Sequence, residues 1–304
     1  MRKYTLFSLF SFLFIVIVIG RLVIVAQAPI TGTWTADSRE NNDGKIQLNL
    51  ELRRNGNSKH QVGHSYEYSD LQGLSRDQAQ NGKVSFRLAR EAGTIQCDGE
   101  FLNGKGSGTF TFTPNSSFVD GMRSRGFDFA KSTSKKPGDE YEVSDRLFTA
   151  AALNVTTALA DDLLAANFGK LDVDDLFKAA IFKIDGKFMA EMKATGFPNL
   201  GMEDLVKARI FKIDAEYVRQ VADMGFENRD FEDLVKFRIF KVTPEFLTAI
   251  KNEGFANISS EEVVKFRIFN IDTDFIRKAK AENPNVTVED MVQMKIGVKK
   301  RNFN

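Results

Sequence analysis

The chain is poor in the residues that most often carry chemistry. Its 304 residues include one cysteine, two histidines and one tryptophan. The lone cysteine, Cys97, excludes an intramolecular disulfide framework, and two histidines leave little material for a metal centre. Nor is there an excess of charge: 42 Lys and Arg face 41 Asp and Glu, which argues against a nucleic-acid protein with its usual basic domain. Missing too are a Gly-x-Ser-x-Gly elbow and a phosphate loop. Gly104-Lys105-Gly106-Ser107-Gly108 joins two strand-like runs without the helix that a phosphate loop requires. His60-Gln61-Val62-Gly63-His64 has the spacing of a zinc peptidase, but Gln61 stands where the catalytic Glu would be and the flanks alternate like a strand. The expectation is two surface histidines near a turn, no metal, no cofactor and no enzyme. What abounds is phenylalanine, 28 residues, about twice ordinary usage.

The N-terminus carries the longest apolar run. Met1-Arg2-Lys3 precedes a nearly unbroken apolar stretch from Tyr4 to Gly20, then Arg21 and an Ala26-Gln27-Ala28 triplet before Pro29. A basic start, an apolar middle and an Ala-x-Ala site make a signal-peptide pattern over residues 1–28. The alternative is a retained membrane anchor, because Pro29 suits a scissile bond poorly and the run reaches the short limit for a span. Either reading puts the remainder outside the cytoplasm, periplasmic or secreted, since Arg2 and Lys3 stay inside.

Residues 31–114 read as a β-rich domain. Lys45 to Leu52, Val84 to Leu88, Thr94 to Cys97 and Thr109 to Phe112 alternate with period two, and Asn-Gly and Asp-Gly pairs separate such runs. About six antiparallel strands are predicted, in a small sandwich or a partly open barrel. Gly32-Thr33-Trp34 is similar to the start of lipocalin-type barrels, which hold small apolar ligands, but six strands are fewer than the eight such a barrel needs. Trp34 is read as a core anchor and Cys97 as a core or strand-face residue.

The second half repeats itself every 29 residues: Leu147, Leu176, Leu205, Leu234 and Val263 begin five superposable units, with a partial unit at Met291. Numbered from those residues, the tenth column is Thr156, Asp185, Asp214, Thr243, Asp272, suited to capping a helix. The twenty-first column, Asn167, Gly196, Gly225, Gly254 and Asn283, suits a left-handed helix end, and Phe follows it in four units. Ser259 and Glu262 have capping-box spacing at the start of the other helix. Residues 147–304 are thus predicted to be an array of two-helix repeats, although Val235 to Ile239 also alternates like a strand. One such hairpin is too small to be stable alone, so neighbours must stack. Residues 115–146 are read as a half-repeat (Asn115 to Phe127) and a linker rich in Ser and Lys. The fold class is α+β, a β-domain followed by a helical array.

Charges sort by column. Lys178, Lys207, Lys236 and Lys265 each follow an acid by four residues (Asp174, Glu203, Glu232, Glu261), the orientation that supports a helix. Arg209, Arg238 and Arg267 form a second column that this pairing does not explain. They are the candidate binding residues, a ladder of cations facing a polyanion, with a solvated face as the alternative.

Val242-Thr243-Pro244-Glu245-Phe246 with Gly254-Phe255 resembles the tandem repeats attached to BlaR1-like sensor proteins of the peptidase M56 family, found in some environmental bacteria. The Gly-Thr-Trp β-domain is similar to the extracytoplasmic extension of those proteins. The resemblance covers about Thr31 to Ile296. It leaves out the membrane-embedded peptidase and its His-Glu-x-x-His site, so proteolysis does not carry over. It also departs at Phe240-Lys241 and equivalents, where similar repeats often have His-Gly. The resemblance implies an extracytoplasmic sensing or interaction role. Together these readings give an exported binding or scaffold protein of the cell envelope, holding a protein or envelope component on the array. The alternative is a carrier of a small apolar ligand in the β-domain.

Overall fold

The computed structural model describes residues 30–39, 44–53, 59–130, 143–197, 199–226 and 230–298. The predicted leader over 1–28 and the Ser/Lys-rich linker lie outside them. The chain is α+β, a curled antiparallel sheet followed by a helical array.

Seven strands form the sheet: β1 (Ile30–Asp37), β2 (Ile46–Arg53), β3 (Lys59–Tyr66), β4 (Leu71–Gln72), β5 (Gly82–Arg90), β6 (Gly93–Leu102) and β7 (Lys105–Pro114). Their order is β3-β2-β1-β7-β6-β5-β4, every pair antiparallel. Strands β3 and β4 are opposite edges of the sheet yet consecutive in the chain. Only residues 67–70 join them, and at roughly 3.5 Å per residue that stretch cannot cross a flat sheet of seven strands about 4.8 Å apart. The sheet must therefore curl. Of the two predicted forms, the partly open barrel is the one adopted. β4 escaped the sequence reading because two residues have no period.

Register puts one face of every long strand inward. Trp34 lies opposite Leu50 and Ala36 opposite Leu48, while Cys97 lies between Phe86 and Phe110. All are buried. Gly99 and Gly108, paired across β6 and β7, open a slot for Trp34: a Cβ on Gly99 would stand 2.6 Å from the indole ring, and one on Gly108 2.8 Å from its nitrogen. The indole N–H donates to the Asp98 carbonyl at 3.2 Å. Trp34 is thus the core anchor expected of it, and Cys97 a core residue whose thiol burial pushes far up, away from the thiolate.

The concave side is filled by helix α2 (Val143–Ala152), which packs on β3, β5, β6 and β7. Phe148 stacks on Phe110 with centroids 5.2 Å apart and meets Phe112 edge-on at 5.7 Å. The Tyr66 hydroxyl donates to the Ala152 carbonyl at 2.8 Å. The columns explain why this helix fits. Thr149 stands where the next four units carry Lys, Ala151 where three of them carry Arg, and Ala152 where all later units carry Ile. The face that is charged elsewhere is here small enough to enter the sheet.

The array consists of α1 (Ser116–Ser124), α3 (Thr157–Ala165), α5 (Gly186–Lys193), α7 (Ala215–Asp223), α9 (Pro244–Asn252) and α11 (Thr273–Glu282) in one row. The other row is α4 (Val173–Phe182), α6 (Met202–Ile210), α8 (Phe231–Ile239), α10 (Ser260–Ile268) and α12 (Val288–Lys295). Helices of eight to ten residues are marginal alone, and α4, α6, α8, α10 and α12 pack in succession. Val235 to Ile239 is helical: Phe231, Leu234, Val235 and Phe237 are buried while Arg238 and Ile239 are exposed, a helical stripe rather than a strand face.

The tenth column caps as predicted. Thr156, Asp185, Asp214, Thr243 and Asp272 each accept the backbone N–H three residues on. The Ser259–Glu262 capping box is present. In the twenty-first column Asn167, Gly196, Gly225 and Gly254 have positive φ, but Asn283 is extended at φ −140°. Pro284 follows it, and the residue before proline is driven out of helical conformations. A second left-handed column, Asn154, Lys183, Lys212, Lys241 and Asn270 at φ 50–57°, ends the other row of helices with residues that pay about 1 kcal/mol for the conformation.

Candidate functional site

The arginine column has internal partners. Arg209 lies over the Phe188 ring, 3.7 Å from its centroid, and donates to the Lys183 carbonyl at 2.7 Å. Arg238 lies over Tyr217 at 3.6 Å and donates to the Lys212 carbonyl at 2.8 Å. Arg267 lies over Phe246 at 4.6 Å and donates to the Phe240 carbonyl at 2.8 Å. Each guanidinium covers an aromatic ring and satisfies a carbonyl at the end of the preceding helix in its row. In the last unit Lys295 does the same, over Phe275 at 4.4 Å and to the Asn270 carbonyl at 2.6 Å. Stapling one unit to the next accounts for this column without a ligand.

The acidic and lysine columns also differ from expectation. Of the four pairs foreseen within helices, Lys265–Glu261 forms at 3.0 Å. Lys178 reaches Glu203 of the next unit at 2.6 Å, Lys207 reaches Glu232, and Lys265 also approaches Glu289 at 3.8 Å. Ladder spacing brings the next unit's acid as close as the helix's own. These exposed pairs contribute little stability each.

Beside the arginines runs an apolar column. Ile181, Ile210, Ile239, Ile268 and Ile296, the fifth residue after each unit's first, are 45–55% exposed. Their equivalent in α2 is Ala152, buried against the sheet. An exposed isoleucine is ordinary, but five in register along one edge are a stripe.

The two histidines are placed otherwise than expected. Both lie within β3, His60 one residue from its start and His64 two from its end, half-buried on the inward face with Val62 and Tyr66, because the alternation that marked the strand also turns positions 60, 62, 64 and 66 the same way. His60 Nε2 meets the Thr149 hydroxyl of α2 at 2.8 Å. His64 lines a cleft of about 420 Å³ where β3, β5 and the turn after α2 meet the C-terminal end of α4. Arg90 and Asp70 form an ion pair there at 2.9 Å. Burial, then the nearby Lys183 ammonium, lowers the His64 pKa, which favours the neutral imidazole. Among the described residues no group of three or more His, Cys, Asp and Glu is placed to hold a metal ion, and no single helix is long and apolar enough to cross a membrane.

Compared with known proteins, the chain matches no family model and has no significant match among curated sequences.

Proposed function

We propose that the protein is an exported, non-enzymatic interaction module of the bacterial cell envelope that holds a protein partner along the edge of its helical array. The observation that carries this reading is the column Ile181, Ile210, Ile239, Ile268 and Ile296, an ordered apolar stripe left exposed. The leader-like N-terminus and the resemblance to extracytoplasmic repeat extensions support the compartment. The carrier alternative needs concave volume in the β-domain that α2 occupies.

The test is crosslinking of the full chain to an envelope extract of its source, with mapping of crosslinked positions. A partner protein should crosslink next to the isoleucine column and be lost from the double variant Ile210→Ser, Ile239→Ser at unchanged melting temperature. Equal capture by the variant, or crosslinks confined to the β-domain, would sink the reading.

A further inference from the structure

The cleft between the half-barrel and the array presents donors that the protein does not use. His64 has no hydrogen-bond partner and Lys183 no ion pair among the described residues. Arg90, beside them, is held by Asp70 through Nη2, and its Nε is buried without an acceptor, closed to a ligand. The acids nearby are committed: Asp70 to Arg90, and Asp185 to the Phe188 N–H at 2.7 Å. Apolar Leu153, Leu159, Ala179 and Ile184 also line the cleft. Unpaired N–H groups and apolar side chains lining one cleft, in a volume within the range that holds a small molecule, call for an acceptor attached to an apolar body.

We propose that this cleft binds a small organic carboxylate, the carboxylate directed to Lys183 and His64 and the apolar body to the α3–α4 wall. A single negative charge suits the site better than a phosphate dianion, which would stand close to Asp70 and Asp185. The backbone of Lys183 is fixed in its left-handed turn by the Arg209 staple, as that of Lys212 is by Arg238. His64, Tyr66, Asp70 and Arg90 line the cleft from the β-domain and the helices and their turns supply the rest, so a ligand here would bridge the two regions. The site is distinct from the isoleucine edge and stands independently of the partner proposed for it.

Calorimetric titration of the full chain with hexanoate, hexanamide and inorganic phosphate tests the proposal. Hexanoate should bind with a dissociation constant of about 1 mM, the level reached by a fragment of its size, and move the ring resonances of His64. Hexanamide and phosphate should bind at least about tenfold more weakly, the loss expected when one charged contact or the apolar contact is removed. Lys183→Gln should weaken hexanoate by a similar factor, while Lys212→Gln, the same column one unit on and outside the cleft, should leave it unchanged. No hexanoate binding, binding of hexanamide or phosphate as tight as that of hexanoate, or equal affinity in Lys183→Gln would overturn the assignment.

Discussion

Trp34 of the half-barrel sits in a slot cut for it alone by Gly99 and Gly108, whereas Phe226 of the array, edge-on to Phe237 at 5.0 Å, has an equivalent in Phe255 against Phe266 at 5.4 Å. One region is a jigsaw of unique pieces closed by long-range strand pairing. The other reuses packing solutions in successive units, and from α6 onward equivalent staples join each unit to the one before it. Damage should therefore spread differently in the two. In the sheet a lost residue has no substitute. In the array it weakens one interface of several. Helix α2 belongs to both, a repeat helix by its columns and a core helix by its position.

The sharpest test of that difference is Phe148→Ala. It removes the ring that joins α2 to Phe110 and Phe112, and should destabilise the protein by about 3–5 kcal/mol. Trp34, the single tryptophan, reports the half-barrel by fluorescence, while circular dichroism at the helical band reports the array. Phe148→Ala should lower both transitions together. Phe266→Ala, an equally buried ring deep in the array, should lower the helical one and leave the Trp34 transition in place. Identical behaviour of the two variants would erase the distinction between the regions.

A smaller effect is expected at the staples. Arg238→Ala removes a guanidinium from the Tyr217 ring and a hydrogen bond from the Lys212 carbonyl, and should cost about 1 kcal/mol. Chemical denaturation followed by helical signal measures it, with Arg238→Lys recovering part of the loss. An unchanged midpoint in Arg238→Ala would show that the column is only a solvated face. The smallest change has the opposite sign: Lys212→Gly relieves a left-handed residue and should raise stability by about 0.5–1 kcal/mol in the same measurement. The Arg238 hydrogen bond survives this change because it uses the backbone carbonyl. A loss of stability would mean that the Lys212 side chain contributes more than the strain costs.

Much of the array was legible because repetition averages out ambiguity. A capping Thr or Asp at one position is weak evidence, and the same choice five times is not. The staples left a trace as well: Phe188 to Arg209, Tyr217 to Arg238 and Phe246 to Arg267 are each 21 residues apart. That constant spacing cannot show that a guanidinium lies on a ring, since contact depends on how the units stack. The α2 plug was hidden for a similar reason. Thr149 and Ala152 break the Lys and Ile columns, and a break in a repeat reads as a worn terminal unit until the sheet that accepts it is seen. The histidines were misplaced because a strand's alternation fixes which residues share a face, not which face the rest of the molecule covers.

By itself, then, the sequence determined local matters: where helices start and stop, which residues share a strand face, and that neighbouring units must stack to bury phenylalanine. Each depends on interactions within a few residues or on a strict period. Tertiary structure alone decided that the sheet curls around α2, that the arginines staple rather than project, and that His64, Arg90 and Lys183 line one cleft. Those outcomes join residues tens of positions apart through side-chain geometry, and no periodicity in the chain encodes which distant faces meet.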